Sequence, residues 1–256
     1  MEIQILCFYY LMKYKIGKIN KFEAGFTLIE LLVALAITGI VISLTGSGLY
    51  ALMNANQRSQ NETTERLELE RAVAFMTDEI KMSQQIMTSI PSPFTGTTGI
   101  KGFNPASGSS EIKPILVLKP ALNSRLKDPI VYYLAEPPNA SVWLGPRVIY
   151  RWGPTLLQTG NYSDGDGNDI SKISLTAPIE YFNEVVVDRI SDRVAAQAST
   201  DCEVNYSAAI PSIAERLGFY VCISSDRKSV KLWIYKQPNS SAKSTMINAL
   251  VVTRSN

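Results

Sequence analysis

No histidine occurs anywhere in the 256 residues. Its absence removes the commonest general base, the commonest metal-ligating side chain and any Ser-His or Cys-His nucleophile pair. Cysteine is scarce: Cys7, Cys202 and Cys222 are the three present. Neither sign of charge prevails, with 25 basic against 23 acidic side chains and a formal net charge of +2. Such a balance gives no electrostatic case for nucleic acid as a partner. Charged residues make up 19% of the chain and apolar ones 46%, which excludes both a disordered polyelectrolyte and a wholly membrane-embedded protein. Proline and glycine are missing between Asn54 and Met87, so nothing there interrupts a helix.

What is present begins with an apolar run. Leu31 to Met53 is 23 residues without a charge, long enough to span a bilayer. A conventional signal peptide has an apolar core of only about 7–15 residues. Just ahead of the run lies Gly25-Phe26-Thr27-Leu28-Ile29-Glu30, and ahead of that Lys13, Lys15, Lys18 and Lys21. Glu30 is a carboxylate at the start of a membrane-length helix, an expensive placement that marks a functional residue. The lysine-rich flank is of the kind retained on the cytoplasmic side.

The arrangement closely resembles the cleavage and methylation signal of type IV prepilins and type II secretion pseudopilins. The resemblance is specific over residues 25 to 45. It implies that a membrane prepilin peptidase cuts between Gly25 and Phe26 and that Phe26 is methylated as the new first residue. Glu30 becomes the fifth-position glutamate, which acts in assembly. Residues 3–11 are apolar and fit poorly in a short basic leader, so Met12 is the expected start, with a long native leader from Met1 as the alternative. Removing residues 1–25 discards four lysines and two glutamates and leaves 21 side chains of each sign.

Beyond the membrane segment the helix is expected to continue to Met87. Leu69, Val73, Met76 and Ile80 recur at helical spacing, Ser83 breaks the stripe and Met87 resumes it. Glu65, Arg66, Glu70, Arg71, Asp78, Glu79 and Lys81 are assigned to polar surface. The stripe packs either on the protein's own head or in a coiled coil with a neighbour. Gly46 and Gly48 mark an expected local bend. Residues 88 to 110, rich in Pro, Gly, Ser and Thr, read as a linker.

Strands are expected at 112–118, 130–135, 141–144, 147–152, 173–175, 184–187 and 249–253. A hairpin stands out: Phe219, Val221 and Ile223, a turn over Ser224 to Lys228, then Val230, Leu232 and Ile234. The expected fold is therefore α+β and pilin-like, a long N-terminal helix packed on an antiparallel β-sheet head. Its organisation is 1–25 leader, 26–53 membrane-spanning and fibre-core helix, 54–87 amphipathic helix, 88–110 linker and 111–256 head. Size, Tyr150 to Pro154, Glu184 to Ile190 and the ending Ala249 to Arg254 look like the larger minor subunits of the PilW/PulJ-like group. The hormogonium polysaccharide secretion pseudopilins are one member group.

Further motifs lead elsewhere or nowhere. Cys202 and Cys222 either form a disulfide in the exported head or remain two buried thiols. Asp164-Gly165-Asp166-Gly167-Asn168-Asp169 fits the first positions of a calcium loop. Asp169 stands where that loop needs Gly and Leu175 where it needs Glu, so it is not an EF-hand. A looser calcium cage and a plain Asp/Gly turn both stay open. Gly46-Ser47-Gly48-Leu49-Tyr50-Ala51 lies in the membrane helix with no strand before it, which rules out a dinucleotide fingerprint. The Ser-x-x-Lys spacings at Ser225 and Ser240 lack companion motifs.

No catalytic residues and no required cofactor are expected. The resemblance implies a structural minor subunit of a type IV pilus-like or secretion fibre. It would sit first in the inner membrane as a single-pass protein with its head outside the cytoplasm, then in the fibre. Implied partners are other pilin or pseudopilin subunits, prepilin peptidase, the inner-membrane assembly platform and membrane lipid. The alternative is an anchored extracytoplasmic module that binds calcium or polysaccharide and does not polymerise.

Overall fold

The computed structural model describes residues 27–89, 114–121, 125–174, 179–193, 202, 206–212, 216–237 and 245–254. Gly25, Phe26, the leader and most of the expected 88–110 linker lie outside these. The chain divides into two compact units, Met1–Arg58 and Ser59–Asn256. One helix, α1, covers Leu28–Met82.

In the first unit α1 is apolar and unburied. Three of its hydroxyls bond within the helix: Thr38 Oγ1 donates to Ala34 O at 2.7 Å, Ser47 Oγ to Leu44 O at 2.9 Å, and Thr45 Oγ1 to Val41 O. Such back-bonding lets Ser and Thr sit in an apolar helix. At Gly46 and Gly48, where a bend is expected, the helical segment is unbroken. The helix runs through both, flanked by these side-chain bonds.

In the second unit Leu69, Val73, Met76 and Ile80 are buried as the stripe requires. They share a core with Leu116, Tyr132 and Ile149 of the sheet and with Val221, Leu232 and Ile234 of the hairpin. The stripe thus packs on the protein's own head. The helix stops at Met82, not Met87. Ser83 Oγ turns back to Ile80 O at 2.7 Å, taking up a last-turn carbonyl. Ser83–Met87 then becomes strand β1. The polar gap at Ser83 is the helix end, and Ile86 is fully buried by strand pairing rather than by continuing the stripe.

The remaining strands are β2 (Pro114–Pro120), β3 (Ile130–Ala135), β4 (Arg147–Gly153), β5 (Phe182–Ile190), β6 (Tyr206–Ile210), β7 (Phe219–Ser224), β8 (Ser229–Lys236) and β9 (Thr245–Val252). All pairs are antiparallel, in the order β1-β2-β3-β4-β5-β8-β7-β6 with β9 on the free side of β8. The fold is the pilin-like α+β arrangement, a long helix on a curled antiparallel sheet. The curl brings β1 to the β7–β8 turn, where Ile86 N donates to Arg227 O at 3.0 Å.

Alternation sorts β3 and β4 into two faces. Tyr132, Ile149 and Arg151 face the helix, while Val131, Tyr133, Val148, Tyr150 and Trp152 make a second cluster behind. The hairpin does the same, with Tyr220, Cys222 and Trp233 on the far face.

Two expected strands do not form among the described residues, and Leu175, at the end of one of them, lies outside those residues. Ser141–Leu144 is an exposed loop after Pro137 and Pro138, with Ser141 N bonded to Pro138 O at 3.1 Å. Ile173 and Ser174 lie outside strands, and their carbonyls accept from Arg125 instead of a neighbouring strand.

Candidate processing and assembly site

Thr27 precedes the first helical residue, and Glu30 sits three positions later. Thr27 N and Thr27 Oγ1 donate to Glu30 Oε2 at 3.1 and 3.0 Å, and Glu30 N points back to Thr27 Oγ1 at 3.4 Å. This is a capping box, in which two orphan amides at a helix start are satisfied reciprocally. As a sequence feature Glu30 points to assembly alone. The Thr-x-x-Glu spacing was the signal for its second role. Leu28, Ile29, Leu31, Leu32 and the following apolar residues to Met53 are solvent-exposed in the single chain. The helix has a segment of mean hydropathy 2.4, none of it buried, and is long and apolar enough to cross a membrane by length and composition. Gly25 and Phe26 lie outside the described residues.

The helix is clasped to the head by acids on one face. Glu65, Leu69, Ala72, Met76 and Glu79 recur at spacings of four and three, one stripe of a helix. Glu65 meets Arg189 at 3.2 Å, and Glu68 meets the buried Lys236 ammonium, which also lies 3.8 Å from Asp188. Glu79, assigned above to polar surface, is only 1% exposed. The stripe carries it inward, because the face that buries Met76 also buries the residue three positions on.

A charge in that position needs partners. Arg151 grips Glu79 with two prongs, Nη2 to Oε1 at 2.6 Å and Nε to Oε2 at 2.9 Å. Tyr132 OH donates to Oε2, and Tyr162 OH to Oε1 at 3.1 Å. Arg151 Nη1 also meets Glu184 Oε2 at 3.1 Å, and Nη2 the Pro154 carbonyl at 2.8 Å. Burial pulls the Arg151 guanidinium downward, but bonds and charge from Glu79 outweigh it and hold its pKa above the ordinary value. Burial, then the Glu79 carboxylate, pushes the Tyr132 and Tyr162 phenols well above the usual range. The network is a closed structural clasp whose groups are bonded to one another.

The Asp/Gly loop turns its carboxylates onto itself. Asp164 Oδ1 accepts from Asp166 N and Asn168 N, each at 3.0 Å, and Oδ2 from Asn168 Nδ2 at 3.0 Å. Asp169 accepts from Ser171 N at 2.9 Å, Ser171 Oγ at 2.7 Å and Asn161 Nδ2 at 2.7 Å. These bonds, led by Asn168 for Asp164 and by Ser171 for Asp169, lower both carboxyl pKa values. The geometry is that of a turn stabilised by its own side chains. Among the described residues no group of three or more Cys, Asp or Glu is placed to hold a metal ion.

Cys202 and Cys222 are joined by a disulfide with Cα atoms 5.6 Å apart. The bridge lies on the far face of β7, beside Tyr220 and Trp233.

Residues 20–46 match the family described as the prokaryotic N-terminal methylation motif. That segment is typical of type IV prepilins and pseudopilins. No curated protein and no solved structure matches the chain.

Proposed function

We propose that this chain, which carries the N-terminal methylation motif of the type IV prepilins and pseudopilins and has a pilin-like α+β fold, is a minor subunit of a type IV pilus-like or type II secretion-like fibre. Prepilin peptidase cuts between Gly25 and Phe26, and Phe26 is methylated. Residues 26–53 hold the protein in the inner membrane as a single span, with the head outside the cytoplasm. The assembly platform then draws the subunit from the lipid into the fibre, where the same apolar surface is covered by other subunits.

One observation carries this reading. The methylation motif runs directly into 23 uncharged residues that form a helix with its apolar side chains exposed. A helix of that composition has two stable surroundings, lipid or other apolar helices. Glu30 selects between neighbours. In the single chain Thr27 occupies its carboxylate. In a helix bundle of low dielectric the carboxylate is best met by a cation, and the Phe26 amine of an adjacent processed subunit supplies one.

Glu30→Val tests the assignment. The expected outcome is a chain still cut after Gly25 but depleted at least tenfold from sheared fibres relative to the membrane pool. Wild-type incorporation of the variant contradicts the role of Glu30, and an uncut wild-type chain that stays in the membrane points to an anchored module instead.

A further inference from the structure

We infer that Cys202, beside the Arg216 guanidinium, is the thiol at which the reduced head engages a disulfide donor, and that Cys222 then resolves the mixed disulfide into the native bridge. This chemistry belongs to the head alone and does not depend on the fibre reading.

The two sulfurs have unequal surroundings. Cys222, within β7, is fully buried and shares its face with Tyr220 and Trp233. Cys202 is half-buried, so an incoming reagent can reach it. Arg216 Nη2 donates to Cys202 Sγ at 3.7 Å. The arginine is itself only 2% exposed. Its Nε points to the Pro211 carbonyl at 3.4 Å, and its Cζ lies 5.3 Å from the centre of the Tyr220 ring. Neither of these two contacts involves a sulfur, so the cation keeps its supports when the bridge is open.

A cation shielded from water acts more strongly on its neighbours than one on the surface. Here it favours the thiolate, the nucleophilic form of a cysteine that otherwise ionises near pH ~8.5. A thiol ionised close to ambient pH is the best attacking group, because it is charged and still nucleophilic. Lys231 and the phenols of Tyr206, Tyr220 and Tyr235 also face the bridge from β6, β7 and β8. Lys231 stands opposite Cys222 across the hairpin, with its ammonium 4.9 Å from the centre of the Tyr206 ring. Its charge adds to the field of Arg216, but burial still shuts Cys222 off from a donor.

The order of steps follows. The Cys202 thiolate attacks one sulfur of the donor, breaks the donor's S–S bond and expels one donor thiolate. Cys222, whose Cα lies 5.6 Å from that of Cys202 in the finished bridge, then gives up its proton and attacks Cys202 Sγ. The native S–S bond forms and the second donor thiolate leaves. Two electrons pass from the cysteines to the donor, which takes up the two protons they release. Cys202 is thus the entry sulfur, Cys222 the resolving one and Arg216 a positioning residue for the charge.

The test uses the full chain in detergent, reduced with a phosphine and then exposed briefly to glutathione disulfide. Acid-quenched wild-type chain should carry glutathione on Cys202 at least tenfold more than on Cys222 by peptide mass spectrometry, a readout that needs no variant to fold. In Cys222→Ser, the pH midpoint for alkylation of Cys202 by iodoacetamide should lie at least about one unit below the ~8.5 of a free cysteine. Adding Arg216→Met should return the midpoint to that range. Arg216→Lys, which keeps the charge but not the planar fork, should preserve about half of the shift. A merely structural role for Arg216 does not produce that dependence on charge. Comparable adducts on both sulfurs of the wild type, whether the reduced head stays folded or opens, overturn the assignment. So does a Cys202 midpoint in the free-cysteine range, one that Arg216→Met leaves low, or one that Arg216→Lys raises as far as Arg216→Met does.

Discussion

Glu79 shows at the residue scale how a helix is fastened to a sheet by charge. Its carboxylate is buried, gripped by Arg151 and bonded by Tyr132 and Tyr162. Removing one member of a buried ion pair leaves the other uncompensated and costs about 3–5 kcal/mol, whereas replacing both by apolar groups is often neutral. Glu79→Leu alone should therefore destabilise the detergent-solubilised chain by about that amount in denaturant titration. Glu79→Leu with Arg151→Met should recover most of the loss, and a double variant as unstable as the sum of the two singles would show that the pair does not act as a unit. The sequence displayed Glu79 among six other charged residues. Its burial became legible only through the four-three spacing from Glu65, because the stripe of large apolar residues, Leu69 to Ile80, drew the helix face slightly to one side of the true one. Glu30 likewise has a local role that a search for distant partners does not reveal, since Thr27 three residues away caps the helix start with it.

Elements were legible where a single local pattern governed them. The hairpin of β7 and β8 announces itself by strict alternation on both arms, and β3 and β4 by dense β-branched and aromatic residues. The end of α1 was not, since Met87 happens to fall on the helical stripe and the pairing of β1 with Lys119, Leu118 and Val117 is a long-range event. Strand β6 was hidden for the same reason, being defined by β7 rather than by its own sequence. The loop at 141–144 carries a strand-like pattern because Val142, Trp143 and Leu144 are apolar, yet the prolines around it remove ladder donors. The disulfide acts at this scale, tying the segment before β6 to β7. Closing a loop of 20 residues should contribute roughly 3 kcal/mol. Cys222→Ser is expected to lower stability by about that much. Thiol labelling of the denatured, unreduced wild-type chain should find no free thiol at either position, and labelling at both would contradict the bridge.

The whole molecule carries a pH signature set by its buried tyrosines. Burial, first among the causes, raises the pKa of Tyr132, Tyr133, Tyr162 and Tyr181 above the ordinary value. The unfolded chain ionises these phenols near pH 10 while the native head keeps their protons. The native state then binds more protons than the unfolded one, so stability is complete below about pH 10 and falls as pH rises beyond it. Denaturation midpoints taken between pH 8 and 11 should decline only above pH 10, and Tyr162→Phe should flatten the decline. A midpoint unchanged to pH 11 would contradict the buried tyrosine network.

At the same scale stands the claim that joins the two units into one function: an anchor processed for polymerisation and a head displayed by it. The motif that carries this claim was plain in the sequence, because a glycine, a carboxylate and a long uncharged run are local signals that no tertiary contact can disguise. The most direct test is mass spectrometry of the N-terminal peptide of the chain recovered from sheared fibres. The expected result is a peptide that starts at Phe26 with a methylated amine and continues Thr27-Leu28-Ile29-Glu30. A peptide that runs intact from Lys21 through Gly25 and Phe26 to Leu31 in the assembled form would contradict the account.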